Sequence, residues 1–250
     1  MGGGDRDCPT VQSGAMFTWQ AAGGIARIVI DRPAARNAVT LAGWAELGRV
    51  VAQVAAERPA AVILHARSGP AFCAGADLDE LARLAEDREG RAVFHRAMAD
   101  AFAALAALPM PTVAAIDGPC HGAGVALAMA CDLRLAGTAA RFSIPPARLG
   151  ILYPPADVAR LTALVGRAHA IRLLATGATI DAEEAARIGL VDMIAPDPLR
   201  EAEAMAGAIA ANDWESVNKL KHMVDGAEES FEDGLGSPAF AVWAKARIAR

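Results

Sequence analysis

Two short apolar runs, Ala61–His65 and Thr112–Ile116, each lead through a glycine-bearing loop of small residues into a helical pattern. Runs this short, without polar alternation, read as strands covered on both faces. A third strand is predicted at Asp132–Ala136. Strand, loop, helix and strand in succession argue for an α/β chain whose parallel sheet is built from ββα units. Upstream, Phe17–Gln20 and Ile25–Ile30 flank Gly23-Gly24, a hairpin signal. Thr40 is placed to cap a helix that runs to about Glu57 and stops before Pro59. Further helices are predicted over Asp77–Ala85 and along the Phe94, Met98, Phe102, Leu105 face. From Ala156 the chain reads as largely helical, with Asp181 as a cap, Gly189 as a stop, and helices over Leu199–Ala211, Trp214–Val224 and Pro238–Arg250.

Composition narrows the function classes. The 250 residues carry 24 basic and 29 acidic side chains, a net charge of −5, and 5% aromatics with one tyrosine. That is neither the basic footprint nor the stacking surface of a nucleic-acid binder. The most apolar stretch, Val113–Cys131, is broken by Asp117, Pro119 and His121, so no membrane span is expected. Met1–Gly14 has no apolar segment of the signal-peptide kind and reads as a flexible extension, with structure beginning near Ala15. Cys8, Cys73, Cys120 and Cys131 form no CxxC pair and no zinc-spaced cluster, so reduced thiols, a cytoplasmic location and no metal site are expected.

The two loops carry the site signal. In Phe72-Cys-Ala-Gly-Ala-Asp-Leu78 and in Gly118–Gly124 a strand turns directly into a helix. A helix N-terminus exposes backbone N–H groups in a favourable dipole. Two such ends facing each other can donate to a single carbonyl oxygen, an oxyanion hole worth about 3 kcal/mol per donor once charge develops there. The same small residues also suit tight packing. Gly118, Gly122 and Gly124 have the glycine spacing of short-chain dehydrogenases, but the motif lies mid-chain, and Tyr153 is followed four residues later by Asp157 rather than lysine. A nicotinamide enzyme is therefore not expected.

In order along the chain, Asp31-Arg-Pro, Arg36-Asn-Ala38, Ala71–Leu78, Pro111–Gly118, Gly122-Ala-Gly124 with Cys131-Asp132, Phe142-Ser-Ile-Pro145, Arg148-Leu-Gly150, Thr176-Gly177 and Ala182–Val191 resemble the crotonase, or enoyl-CoA hydratase/isomerase, superfamily. The resemblance implies a ββα spiral core over residues 15–198 and a helical C-terminal trimerisation region over residues 199–250. It implies an acyl-CoA thioester substrate whose enolate is stabilised by the backbone N–H groups of Ala76 and Ala123, with coenzyme A present only as part of the substrate. It places coenzyme A contacts at Ala38, at Ala74, Asp77 and Leu78, and, through the phosphates, at Lys221. It implies a homotrimer or a dimer of trimers.

Several positions depart from the pattern. Ala123 replaces the middle glycine of the usual run, which preserves the donor only if its φ stays negative. Asp79 stands where relatives often carry lysine. The two glutamates of the hydratases fall on Ala126 and Pro146, neither of which moves a proton, so weak hydration is expected. The aspartate of the dehalogenase and dienoyl-isomerase branches falls on Pro154. Tyr153 matches an active-site tyrosine of the methylmalonyl-CoA decarboxylase branch, although that branch has histidine at the position of Ala76. Asp157 reads as a helix N-cap or a base, and His121 as a loop histidine or a pocket residue. Three readings stay open: an enolate-stabilising enzyme with a proton donor other than glutamate, an atypical hydratase, and an acyl-CoA-binding protein without chemistry.

Overall fold

The computed structural model describes residues 15–67 and 69–248; the predicted extension, Met1–Gly14, lies outside the described residues. The hairpin is β1 (Phe17–Ala22) and β2 (Ile25–Ile30), turning at Gly23 and Gly24, both at positive φ. Then come α1 (Leu41–Glu57), β3 (Ala61–Ala66), α2 (Leu78–Arg83) and α3 (Arg88–Ala106). Thr40 accepts the Gly43 N–H at 3.0 Å, so α1 begins at the predicted cap. β4 (Thr112–Ile116), β5 (Pro119–His121), α4 (Ala123–Met129), β6 (Leu133–Ala136) and β7 (Arg141–Ser143) complete the central turns of the spiral. α5 (Pro155–Thr176) is interrupted at Gly166, where φ is +72°. β8 (Ile180–Asp181), α6 (Ala182–Arg187), β9 (Met193–Ile194), α7 (Pro198–Ala210), α8 (Trp214–Val224), α9 (Phe231–Leu235) and α10 (Pro238–Ile248) follow.

The strands divide between two sheets. The larger runs β1-β2-β3-β4-β6-β9, parallel except for the β1–β2 hairpin; the smaller is β5-β7-β8. Successive strands leave one sheet for the other before a helix returns the chain, which is the ββα spiral expected from the sequence. The three-residue β5 lies inside the stretch read as an unbroken Gly118–Gly124 loop. Strand periodicity does not register over three residues.

Alternation along the large sheet separates two cores. Ile28, Ile30, Leu64 and Ile116 face α1 and α3, with Trp44 and Phe102 edge-to-face at 5.1 Å between centroids. Ile63, Val113 and Leu135 face Ala202 and Ala206 of α7. The sheet is thus covered on both sides, and α7 belongs to that layer although it falls within the predicted C-terminal region. Beyond it, α8 is tied back by Trp214, whose Nε1–H donates to the Pro59 carbonyl at 3.0 Å while the Arg58 guanidinium lies 4.2 Å above its ring. No described helix is long and apolar enough to cross a membrane.

Candidate active site

The two glycine loops are zipped together by backbone hydrogen bonds. The N–H groups of Phe72 and Cys73 donate to the Pro119 carbonyl at 3.0 and 3.3 Å, and the His121 N–H donates to the Cys73 carbonyl at 2.9 Å. Small residues permit this approach. A Cβ on Gly124 would lie 2.5 Å from the Cys73 carbonyl oxygen, and one on Gly75 would lie 2.9 Å from that of His121 and 3.4 Å from the Ala123 nitrogen. Gly75 also has φ of +106°, a conformation that side chains rarely adopt.

Ala76 and Ala123 are therefore brought together at the mouths of α2 and α4. Neither N–H has a hydrogen-bond acceptor among the described residues, and both residues are half-buried. Ala123 is not among the positive-φ residues, whereas Gly122 before it takes φ +52°, so the Ala123 donor survives the loss of glycine.

A third segment braces the first loop. Asn37, fully buried in left-handed conformation, donates from Nδ2 to the carbonyls of Ala71 (2.9 Å) and Phe72 (3.2 Å) and accepts the Arg32 N–H at Oδ1 (2.8 Å). Arg32 Nη1 donates to the Ala38 carbonyl and to Asp77 Oδ2, each at 2.7 Å. Asp77 caps α2 by accepting the N–H groups of Asp79 and Glu80. Arg32 and these N–H donors hold its carboxyl below the usual carboxylate value, against its burial. At Asp77, where a ligand contact is predicted, both carboxylate oxygens are engaged within the chain, and its own N–H donates to the Val39 carbonyl. The Ala38 carbonyl is already bonded to Arg32, while Ala74 is half-buried and Leu78 is 60% exposed at the entry to α2.

Lys221 has partners within the chain. Its ammonium donates to Asp132 Oδ2 at 2.7 Å and to the Met110 carbonyl at 3.3 Å, and only 8% of its side chain is exposed. Asp132 in turn accepts from Thr112, at the backbone (2.7 Å) and hydroxyl (2.9 Å). The lysine fastens α8 to the ends of β4 and β6.

On the other side, Tyr153 donates its hydroxyl to the Gly122 carbonyl at 3.0 Å, beside the backbone of Ala126. Burial pushes its ionisation well above the usual phenol value, so the group keeps its proton. A phenol has one proton to donate, and here the chain itself takes it. Asp157 is not the N-cap of α5: that place belongs to Pro154, which caps with no side chain. Asp157 stands in the first turn, 3% exposed, with Oδ1 receiving Arg160 Nη1 at 3.1 Å. Burial raises its carboxyl above the usual value against the pulls of Arg160 and His95. The Pro154-Pro155 pair concealed this placement, because proline at the first helical positions shifts the start of the helix upstream.

His121 shares a hydrogen bond with the Ser143 hydroxyl, Nδ1 to Oγ 2.8 Å, across the β5–β7 register, and burial lowers its pKa, as does nearby Arg36. Cys73 and Cys120 face each other across an isolated bridge, wholly buried; burial pushes the Cys73 thiol up to about 12 and that of Cys120 well above its usual value. Neither serves as a nucleophile in that state. Among the described residues no cluster of metal-ligating side chains occurs.

Comparison with known proteins fits this geometry. The enoyl-CoA hydratase/isomerase family model matches residues 20–233. YngF of Bacillus subtilis, named for the enoyl-CoA hydratase/isomerases, is 37% identical over 217 residues, covering 84% of this chain and 82% of that one. An enoyl-CoA isomerase/hydratase of Zymoseptoria tritici is 34% identical over 233 residues, covering 86% and 74%. A crystal structure of an enoyl-CoA hydratase/isomerase family protein from Hyphomonas neptunium superposes with a TM-score of 0.88 at 33% identity, covering 94% of this chain and 95% of that one.

Proposed function

Because this chain belongs to the enoyl-CoA hydratase/isomerase family, we propose that it binds an acyl-CoA thioester with the carbonyl oxygen between the N–H groups of Ala76 and Ala123 and stabilises the enolate formed there. The observation that carries the reading is the pair of unsatisfied donors on loops locked to one another. Donors fixed before reaction cost no reorganisation when charge moves onto the oxygen, and each is worth about 3 kcal/mol. Coenzyme A enters with the substrate, and no resident cofactor is needed.

Ordinary hydration is expected to be weak. Ala126 is 1% exposed and carries no proton, and Pro146 opens a short turn of helix. Each missing acid–base group removes about 10²–10⁴-fold in rate. The decarboxylase-like alternative needs Tyr153 to donate to a substrate carboxylate, and the Gly122 hydrogen bond argues against it. Loss of all chemistry is the other alternative.

The C-terminal helices support assembly through further copies of the chain, as a trimer or dimer of trimers. Phe231 and Trp243 are 80% and 61% exposed around a groove of about 480 Å³ between α8, α9 and α10. Light scattering of the purified protein tests this part. Calorimetric titration with acetoacetyl-CoA and with NAD(P)H tests the binding, and crotonyl-CoA turnover tests the chemistry. Binding of the dinucleotide alone, or turnover matching ordinary hydratases, would contradict the proposal.

A further inference from the structure

Among the described residues Asp157 is a buried carboxylate that the fold uses only in part. Its Oδ1 receives one hydrogen bond, from Arg160 Nη1 at 3.1 Å. Its Oδ2 receives none from the described residues, and that atom is not wholly enclosed. That oxygen therefore touches open space, although the residue as a whole is 3% exposed. A structural carboxylate buried to this degree is expected to satisfy both oxygens.

Tyr153 precedes Asp157 by four residues, just before the start of α5. The Tyr153 hydroxyl sits at the Gly122 carbonyl, immediately before the Ala123 donor, and beside the Ala126 backbone. Burial first, and then the Asp157 charge, raises the ionisation of that hydroxyl above the usual phenol value. Ala126 is where the resemblance places the first glutamate of the hydratases. The start of α5, which carries Asp157, is thus tied through Tyr153 to the loop that opens α4.

We propose that Asp157 is the proton-carrying carboxylate of this enzyme, acting on the carbon next to the thioester in place of the side chains missing at Ala126 and Pro146. This rests on the acyl-CoA reading above. In the first step Oδ2 takes a proton from that carbon. The C–H electron pair becomes the new carbon–carbon π bond, and the thioester π pair moves onto oxygen, between Ala76 and Ala123. In the second step the Asp157 carboxylic acid, whose proton exchanges with solvent while the enolate is held, delivers a proton to the original carbon or, with a 3-enoyl substrate, to the carbon two bonds further along. Nothing is oxidised or reduced and no water is consumed. One carboxylate suffices for this shuttle, whereas water addition uses two. The substrate class that fits is an unsaturated acyl-CoA undergoing double-bond migration. Arg160 holds Oδ1 and so leaves Oδ2 as the working atom; it is a positioning residue.

The test uses the full-length protein with butanoyl-CoA in D2O, reading deuterium uptake beside the thioester by mass spectrometry, and with 3-hexenoyl-CoA, reading its conversion to the 2-enoyl isomer. Asp157→Asn keeps the shape and the Arg160 contact, and should lower both rates by about 10²-fold or more while acetoacetyl-CoA affinity by calorimetry stays near wild type. An Asp157→Asn rate close to wild type overturns the proposal. Wild-type protein that binds acetoacetyl-CoA but neither exchanges nor isomerises overturns it too, and leaves the binding reading standing. Failure to bind any acyl-CoA defeats the binding reading itself. If Asp157→Asn does not fold, the wild-type exchange rate decides. It should rise with pH through one ionisation, and the rise should persist in His95→Gln, since Arg160, Tyr153 and His95 are the other titratable groups acting on Asp157. A flat profile, or one that disappears with His95→Gln, overturns the assignment.

Discussion

Gly75 and His121 lie so close that a methyl group on Gly75 would sit 2.9 Å from the His121 carbonyl oxygen. That contact sets the spacing of the two proposed oxyanion donors, which follow at Ala76 and Ala123. Gly75→Ala should therefore separate the loops and strain a backbone at φ +106°. The expected outcome is a stability loss of about 1–3 kcal/mol and a larger proportional loss of kcat than of acyl-CoA affinity. Thermal unfolding together with steady-state kinetics on the best acyl-CoA substrate checks both.

Tyr153→Phe separates positioning from proton transfer. The variant deletes the hydrogen bond to Gly122, whose carbonyl still accepts the N–H groups of Val125 and Ala126 at 3.0 and 3.3 Å. A loss of about 0.5–1.5 kcal/mol in stability is expected, with kcat lowered far less than by Asp157→Asn. Equal losses in the two variants would move Tyr153 into the chemistry.

Asp77 gives a pH signature. Arg32 and the helix N-terminus hold its folded pKa below the unfolded value. Its contribution is therefore fully present above the unfolded carboxylate pKa and is lost as pH falls through the lower folded value. Asp77→Ala should cost about 0.5–2 kcal/mol at neutral pH, the range for a lost helix cap. The difference from wild type should shrink towards acid, as followed by urea unfolding at several pH values.

The elements that set this site differ in how far the sequence reveals them. Thr40, Asp181 and the Gly23-Gly24 turn are local signals, because a cap or a turn depends on neighbours within four residues, and the structure follows them. The pairing of the glycine loops is a tertiary event between Cys73 and Cys120, and only the succession of strand, loop and helix hinted at it. Lys221 and Asp77 look free in sequence because their partners, Asp132 and Arg32, lie 89 and 45 positions away. Asn37 was visible as part of a motif, but its three hydrogen bonds to Arg32, Ala71 and Phe72 need the folded loop. Asp157 stays ambiguous in sequence between a helix cap and a base, since an acidic residue after prolines serves a helix N-terminus equally well.

A crystal structure of the protein with acetoacetyl-CoA tests the central claim most directly. The thioester oxygen is expected about 2.7–3.1 Å from both the Ala76 and the Ala123 nitrogens, with the acyl group running towards Tyr153 and Asp157. A ligand bound with that oxygen directed away from the two N–H groups, or bound elsewhere on the molecule, would contradict it.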